Sequence, residues 1–279
     1  MNAIAAPGRT ALVTGASSGI GVEFARQLGR RGYAVVLVAR RRDRLEALAD
    51  ELRGLGCSSV VLATDLSAPG AVRGLLEELD AKGIELDVLV NNAGVGLYGA
   101  ALDHAPERIE AMLRLNVMTV TELGLAVGRR MGRSGRGTII NVSSTASFQP
   151  DPWLAVYGAS KAYVTSLSLA LGEELAPRGV RVLTLCPGLT RTEFDEVAGV
   201  RAAKSADWMY MSAARCVRTA LRGLDGRRRI VVPGLLNRIA AFLARRAPLG
   251  LVTRVNAWLL APRTEDRHKG PPTAGPGSS

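Results

Sequence analysis

Tyr157 and Lys161 stand four residues apart, in Tyr157-Gly158-Ala159-Ser160-Lys161, at the opening of a long segment with helical spacing. Residues four apart share one face of a helix. Free tyrosine titrates near ~10 and is a poor acid or base at neutral pH. An ammonium beside it, together with any further positive charge at the reacting centre, favours the phenolate. Lowering the tyrosine by ~3 units corresponds to roughly 4 kcal/mol of differential interaction. A tyrosine tuned this way gives a proton to a carbonyl oxygen that receives hydride, or accepts one in reverse. Ser144 lies 13 residues before Tyr157, at the end of the apolar run 138–142, where a hydroxyl can hold the same oxygen. Ser143 is its neighbour, and the spacing to Tyr157 favours Ser144. A Tyr–Lys pair alone is usually a packed helix start, so its company matters.

That company begins with Thr14-Gly15-Ala16-Ser17-Ser18-Gly19-Ile20-Gly21, between a short apolar run and a helical stretch. Glycines there allow a tight turn and let backbone N–H groups approach a pyrophosphate at a helix N-terminus. As a bare string it is equally well a structural turn. At the first strand–helix junction of an α/β chain it points to a dinucleotide, with Gly15, Ser17, Ser18, Gly19, Ile20 and Gly21 as contacts. The second strand is the test. An acid at its end holds a free ribose 2′-hydroxyl, whereas a 2′-phosphate wants arginine. Here the run ends Ala39-Arg40-Arg41-Arg42, with no acid before Asp43. Arginine forks two donors onto a phosphate. The alternative is a solvated basic helix start, but basic residues at a helix N-terminus oppose its dipole unless an anion is present. NADP(H) is therefore expected over NAD(H), with Arg40 the first phosphate contact and Arg41 the second.

These residues need a scaffold, and the chain alternates strand with helix. Apolar runs at 11–14, 34–39, 60–63, 88–90, 138–142 and 180–185 are separated by amphipathic helical stretches such as 20–31 and 43–53. Continuous apolar strands of this kind indicate a parallel sheet covered on both faces. With a seventh strand at 230–232, the expectation is an α/β doubly wound, Rossmann-type parallel sheet of about seven strands. One catalytic domain over 1–262 is expected, with its core at about 8–232. A C-terminal helical extension follows at about 234–260, as two helices at 234–247 and 250–260. Residues 263–279, rich in Pro, Gly and polar residues, read as a disordered tail.

Composition excludes several classes. In 279 residues, 47% are apolar and 22% charged, which is ordinary for a globular chain. Two histidines and three cysteines without CxxC spacing leave no metal site and no His-based triad to expect. The cysteines read as thiols of a reducing, cytoplasmic compartment. The first ten residues lack the pattern of a signal peptide, and no apolar run reaches the length of a membrane span. The net charge is +11, but residues 1–214 carry only 23 basic against 22 acidic side chains. The remaining 65 carry 13 against 3, so the excess belongs to the C-terminal quarter. No nucleic-acid-binding module accompanies those arginines.

The full set of motifs resembles the short-chain dehydrogenase/reductases, in their compact single-domain branch. It comprises Thr14-Gly15-x-x-x-Gly19-x-Gly21, Asp65-Leu66, Asn91-Asn92-Ala93-Gly94, Asn116, Ser144, Tyr157-x-x-x-Lys161 and Pro187-Gly188, over roughly 8–232. The resemblance implies that Asp65 and Leu66 flank an adenine, and that Asn91, Asn92, Ala93 and Gly94 close the cofactor pocket and support the sheet. It implies that Asn116 holds a water linking Lys161 to solvent, and that Ser144 polarises the carbonyl. Tyr157 would then transfer the proton, and Lys161 would also bind the nicotinamide ribose. Pro187, Gly188 and Thr192 would lie near the carboxamide. It also implies a homodimer or tetramer. Asp65 as a helix N-cap and Asn116 as an ordinary helix residue stay open beside these roles.

Phe148, Trp153 and Phe194 are expected at the substrate, with Leu97, Tyr98, Leu154, Trp208, Met209 and Tyr210 nearby. That lining suits a lipophilic ketone, aldehyde or secondary alcohol. Trp208 to Met211 read equally well as a lid or subunit contact. The helices after 234 have three readings: a cover for the cleft, an oligomer contact, or peripheral contact with an anionic membrane. The expected activity is NADP(H)-dependent carbonyl–alcohol interconversion, with a non-catalytic NADP-sensing protein as the alternative.

Overall fold

A computed structural model describes residues 9–199 and 210–261. The expected tail at 263–279 and the side chains Trp208 and Met209 lie outside the described residues. The apolar runs form β1 (Thr10–Thr14), β2 (Ala34–Ala39), β3 (Ser59–Ala63), β4 (Val88–Asn91), β5 (Gly137–Val142) and β6 (Val180–Leu185). Between them lie α1 (Gly19–Arg30), α2 (Arg42–Gly54), α3 (Ala71–Ala81), α4 (Pro106–Leu113), α5 (Val120–Ser134) and α6 (Ala155–Leu175). After β6 come β7 (Thr190–Arg191), α7 (Phe194–Ala198), β8 (Met211–Ser212), α8 (Ala213–Asp225) and β9 (Ile230–Val231). The chain continues with α9 (Leu235–Ala244) and α10 (Leu249–Leu260).

The main sheet is parallel throughout, in the order β3-β2-β1-β4-β5-β6-β9. The α/β doubly wound reading holds with seven strands. Side chains alternate across the sheet with the period of two that a pleat imposes. Ala11, Val13, Val35 and Leu37 face one way, against Phe24 of α1, Leu45 of α2 and Val217 of α8. Leu12, Val36 and Val38 face the other, against Leu75 of α3, Leu123 of α5 and Leu171 of α6. Both faces are dry, which is why the strands read as unbroken apolar runs.

The chain order reverses between β1 and β4, and open sheets hold ligands at the carboxyl ends of the strands beside such a reversal. The glycine turn, the 91–94 segment and Ser144 all leave strands at that edge. Two features were not legible in the sequence. Residues 114–119 form a π-helical turn between α4 and α5. Strands β7 and β8 form a separate parallel pair of two residues each.

Candidate active site

The glycine turn is built by exclusion. Gly15 has φ +66°, and a Cβ there would lie 2.8 Å from Asn92 Nδ2. A Cβ on Gly21 would lie 2.1 Å from the Gly15 carbonyl oxygen, so any side chain there breaks the fit of α1 on the loop. Thr14 Oγ1 accepts from the backbone N–H groups of Asn92 and Ala93, each at 2.9 Å. Asn92 Nδ2 donates to the Thr14 carbonyl at 2.9 Å. The ends of β1 and β4 are thereby laced together. Ser18, at the N-cap of α1, makes no side-chain cap bond. Uncapped N–H groups at that terminus favour an anion.

The basic run lies beside this turn. Arg40 follows β2 and is exposed, and its charge reaches Asp65. Burial raises the Asp65 carboxyl, but hydrogen bonds from Ser67 and the Arg40 charge outweigh it and hold it low. Asp65 does not cap the following helix, because α3 begins only after Gly70 and Asp65 Oδ1 accepts from Ser67 instead. Leu66 is buried, and its carbonyl accepts from Thr119 Oγ1 at 2.7 Å. Arg41 donates to Ser17 Oγ at 3.2 Å and to Glu193 at 2.9 Å. Arg44 pairs with the same Glu193, and hydrogen bonds from the two arginines hold the Glu193 carboxyl below its ordinary range. No local pattern marks Glu193, whose partners lie about 150 residues away in the chain.

Ser144, Tyr157 and Lys161 converge. Ser144 lies against the Tyr157 hydroxyl and favours its ionised form. Lys161 Nζ donates to the Val142 carbonyl at 3.0 Å and lies 5.9 Å from the centre of the Tyr157 ring. Both are buried, at 7% and 4% exposure. Burial pushes the Tyr157 hydroxyl up to about 12, against the effect of Ser144. Burial pushes Lys161 down to about 8. The phenolate expected from the motif is therefore not favoured in the protein alone. Desolvation disfavours charge on both groups and outweighs their proximity. Burial thus keeps the Tyr157 hydroxyl protonated at neutral pH.

Asn116 lies in the π-helical turn and is fully buried. It is no ordinary helix residue. Its Oδ1 accepts from Val95 N at 3.0 Å, and its Nδ2 donates to Val95 O at 2.9 Å and Ser160 Oγ at 3.1 Å. A Cβ on Gly94 would lie 3.1 Å from Asn116 Oδ1 and 3.2 Å from Lys161 Nζ, so the bare glycine leaves a gap between them. Ser143 points away, donating to the Lys161 carbonyl at 2.8 Å. Thr192 faces Gly19, and the Pro187 carbonyl accepts from Thr145 N at 2.8 Å. Gly188 abuts Asn237, whose carboxamide would lie 2.6 Å from a Cβ there.

The surroundings of Tyr157 are apolar. Leu97, Met112 and Ala146 pack with it, joined by Leu154 and Phe194. The Phe194 ring centre lies 5.3 Å from that of Tyr157. Trp153 adopts φ +70°, and its indole donates to the Ala257 carbonyl of α10 at 3.3 Å. Tyr98 Oη donates to the Leu260 carbonyl at 2.6 Å, so α10 covers this side of the cleft. Phe148 departs from expectation, lying instead under Arg245, 5.8 Å from its guanidinium, beside a cavity between α8, β9 and α9. That cavity, about 980 Å³, does not include Tyr157. No described group of His, Cys, Asp and Glu could hold a metal ion.

Asp151 is a further buried titratable group in the cleft. It accepts from Gln149 at 3.0 Å and from Asn256 of α10 at 3.0 Å, and burial raises it to about 6. A free aspartate titrates near ~3.9. Between those values the folded chain keeps a proton that the unfolded chain has lost, so this group's contribution to stability falls as pH rises through the window. Asp151→Asn is expected to raise the melting temperature at pH ~7.5, gaining up to about 2–3 kcal/mol. It should change little at pH ~3, where both states are largely protonated. Melts at the two pH values read this directly. Equal shifts at both would refute it.

A family model described as short chain dehydrogenase matches residues 9–201. A short-chain dehydrogenase from Sphingobium yanoikuyae, in complex with NADPH, is 38% identical with a TM-score of 0.76. That match covers 85% of this chain and 93% of that one. The bulky-bulky ketone specific alcohol dehydrogenase from Comamonas testosteroni is 32% identical with a TM-score of 0.72, covering 87% of this chain and 93% of the other. A fatty acyl-CoA reductase of Mycobacterium tuberculosis is 36% identical over 229 residues, 77% of each chain. The fold and the match over most of the chain define an oxidoreductase of Rossmann type. The chain belongs to the short chain dehydrogenase family.

Proposed function

We propose that this chain is an NADP(H)-dependent oxidoreductase that interconverts a carbonyl and a secondary alcohol on a lipophilic substrate. The observation that carries the reading is the convergence of Ser144, Tyr157 and Lys161 in an apolar pocket. The residues present fit a dinucleotide. Gly15, Gly19 and Gly21 leave a cradle that a Cβ would fill, and the α1 terminus is uncapped. Arg40 and Arg41 supply the donors a 2′-phosphate needs. NADPH in the Sphingobium relative supports the same cofactor.

A bound nicotinamide supplies the hydride, or accepts it in reverse. Ser144 holds the substrate oxygen and Tyr157 gives it a proton. A tyrosine at about 12 is fully protonated at neutral pH, which suits reduction. Lys161, at about 8, titrates close enough to neutrality to pass a proton onward, and Asn116 borders the gap beside it. Phe194, Leu154 and Leu97 exclude water from the oxygen and favour apolar substituents. Trp153 shapes the far side through its contact with α10. The bulky-ketone and fatty acyl relatives support a lipophilic substrate. A homodimer or tetramer and a reducing cytoplasm complete the reading, the latter supported by three buried free cysteines.

The test is consumption of NADPH against a panel of 3-oxoacyl thioesters, steroid ketones, aldehydes and quinones. Consumption with at least one lipophilic carbonyl is expected. Tight NADPH binding without consumption across the panel would favour the non-catalytic sensor instead.

A further inference from the structure

Helices α9 and α10 are inside out. Surface helices bury their apolar stripe and show polar residues to water. In α9 the residues packed inward are Ala241 and Ala244, while Leu235, Ile239, Phe242 and Leu243 are exposed. In α10 Asn256 faces inward, onto Pro150 and Asp151, while Leu251, Val255, Trp258 and Leu259 are exposed. Both sets repeat at i, i+4, i+7 and i+8, one continuous stripe on each helix. Trp258 is 79% exposed and Leu236, beside the α9 stripe, 62%. Exposed apolar surface on this scale marks an interaction site.

The charge around the stripes says what covers them. Residues 226–261 contain seven arginines and no carboxylate. The cavity of about 980 Å³ between α8, β9 and α9 is ringed by Arg215, Arg222, Arg228, Arg238, Arg245 and Arg246. None of these six pairs with a carboxylate among the described residues. Phe148 and Phe242 supply an apolar wall beneath them. A second copy docked through this face would set arginine against arginine. A nucleic acid would meet the arginines but leave the leucines and Trp258 in water. An anionic bilayer answers both, with headgroup phosphates for the arginines and acyl chains for the stripes. No described helix is long and apolar enough to cross a membrane. With 12 residues, α10 spans about 18 Å, short of a hydrocarbon core of about 30 Å.

We infer that α9 and α10 dock the protein onto an anionic lipid surface, with lipid headgroup phosphates seated among the arginines of the α8–α9 cavity. Because α10 also covers Tyr98 and Trp153, docking brings the substrate cleft to the lipid boundary. That consequence rests on the function proposed above. The docking itself does not.

Sedimentation with vesicles tests it, using the full chain at low salt. Vesicles of phosphatidylcholine with phosphatidylglycerol should carry down most of the protein, and phosphatidylcholine alone should carry little. Raising salt should cut binding at least tenfold. Two double variants, Leu236→Ser with Trp258→Ser and Arg238→Glu with Arg246→Glu, should each lose binding tenfold or more. Both should keep the wild-type melt and NADPH affinity, which separates lost docking from lost folding. Failure of the wild type to sediment with the anionic vesicles overturns the inference. Unchanged binding of the glutamate variant also overturns it. So does a serine variant that changes oligomeric mass in a wild type that ignores lipid, because the face would then belong to a second copy.

Discussion

Replacing Tyr157 by phenylalanine is expected to lower kcat by about 10²–10⁴-fold while leaving NADPH affinity within about twofold of wild type. The range is what a positioned general acid contributes. The substitution removes one oxygen and nothing else. The ring keeps its place against Phe194 and within the cluster of Leu97, Met112 and Ala146. Ser144 then loses the hydroxyl it meets, and the carbonyl oxygen loses its proton source. Steady-state turnover and a separate cofactor titration distinguish the two effects. Near-wild-type turnover in this variant would show that the proton comes from elsewhere.

The second large effect is on cofactor choice. Arg40→Ala is expected to weaken NADPH binding by about 10–100-fold, the range of a lost charge-assisted hydrogen bond, and to leave NADH unchanged. Arg41→Ala should cost less. Arg41 already bonds Ser17 and Glu193, so a phosphate gains only part of its donors. The ranking follows from geometry: Arg40 is exposed and makes no ion pair among the described residues, whereas Arg41 is half committed. Equal affinities for the two cofactors, unchanged by Arg40→Ala, would contradict the 2′-phosphate assignment.

Much of this was legible in the chain because it is local. Strands buried on both faces write themselves as unbroken apolar runs, and β1 to β6 appear where those runs lie. The glycine turn and the Tyr157–Lys161 pair are constraints on spacing, so sequence carries them directly. What was not legible depends on burial or on distant partners. The π-helical turn that aims Asn116 inward has no 3.6-residue signature. Glu193 meets Arg41 and Arg44 only after folding. The direction in which Tyr157 and Lys161 shift is set by desolvation, which no spacing reveals. The C-terminal helices were visible as amphipathic segments. Which side they turn to solvent was not, and that is where their charge acquires meaning.

The central claim is that hydride reaches a carbonyl carbon while Tyr157 protonates the oxygen. Its most direct test is isotope tracing, with NADPH deuterated at the transferable position of the nicotinamide and a lipophilic ketone, the alcohol product being read by mass spectrometry. One deuterium on the carbinol carbon is expected, with none entering that carbon when deuterated solvent replaces labelled cofactor. Solvent deuterium at that carbon, or an alcohol without label from the labelled cofactor, would contradict the account.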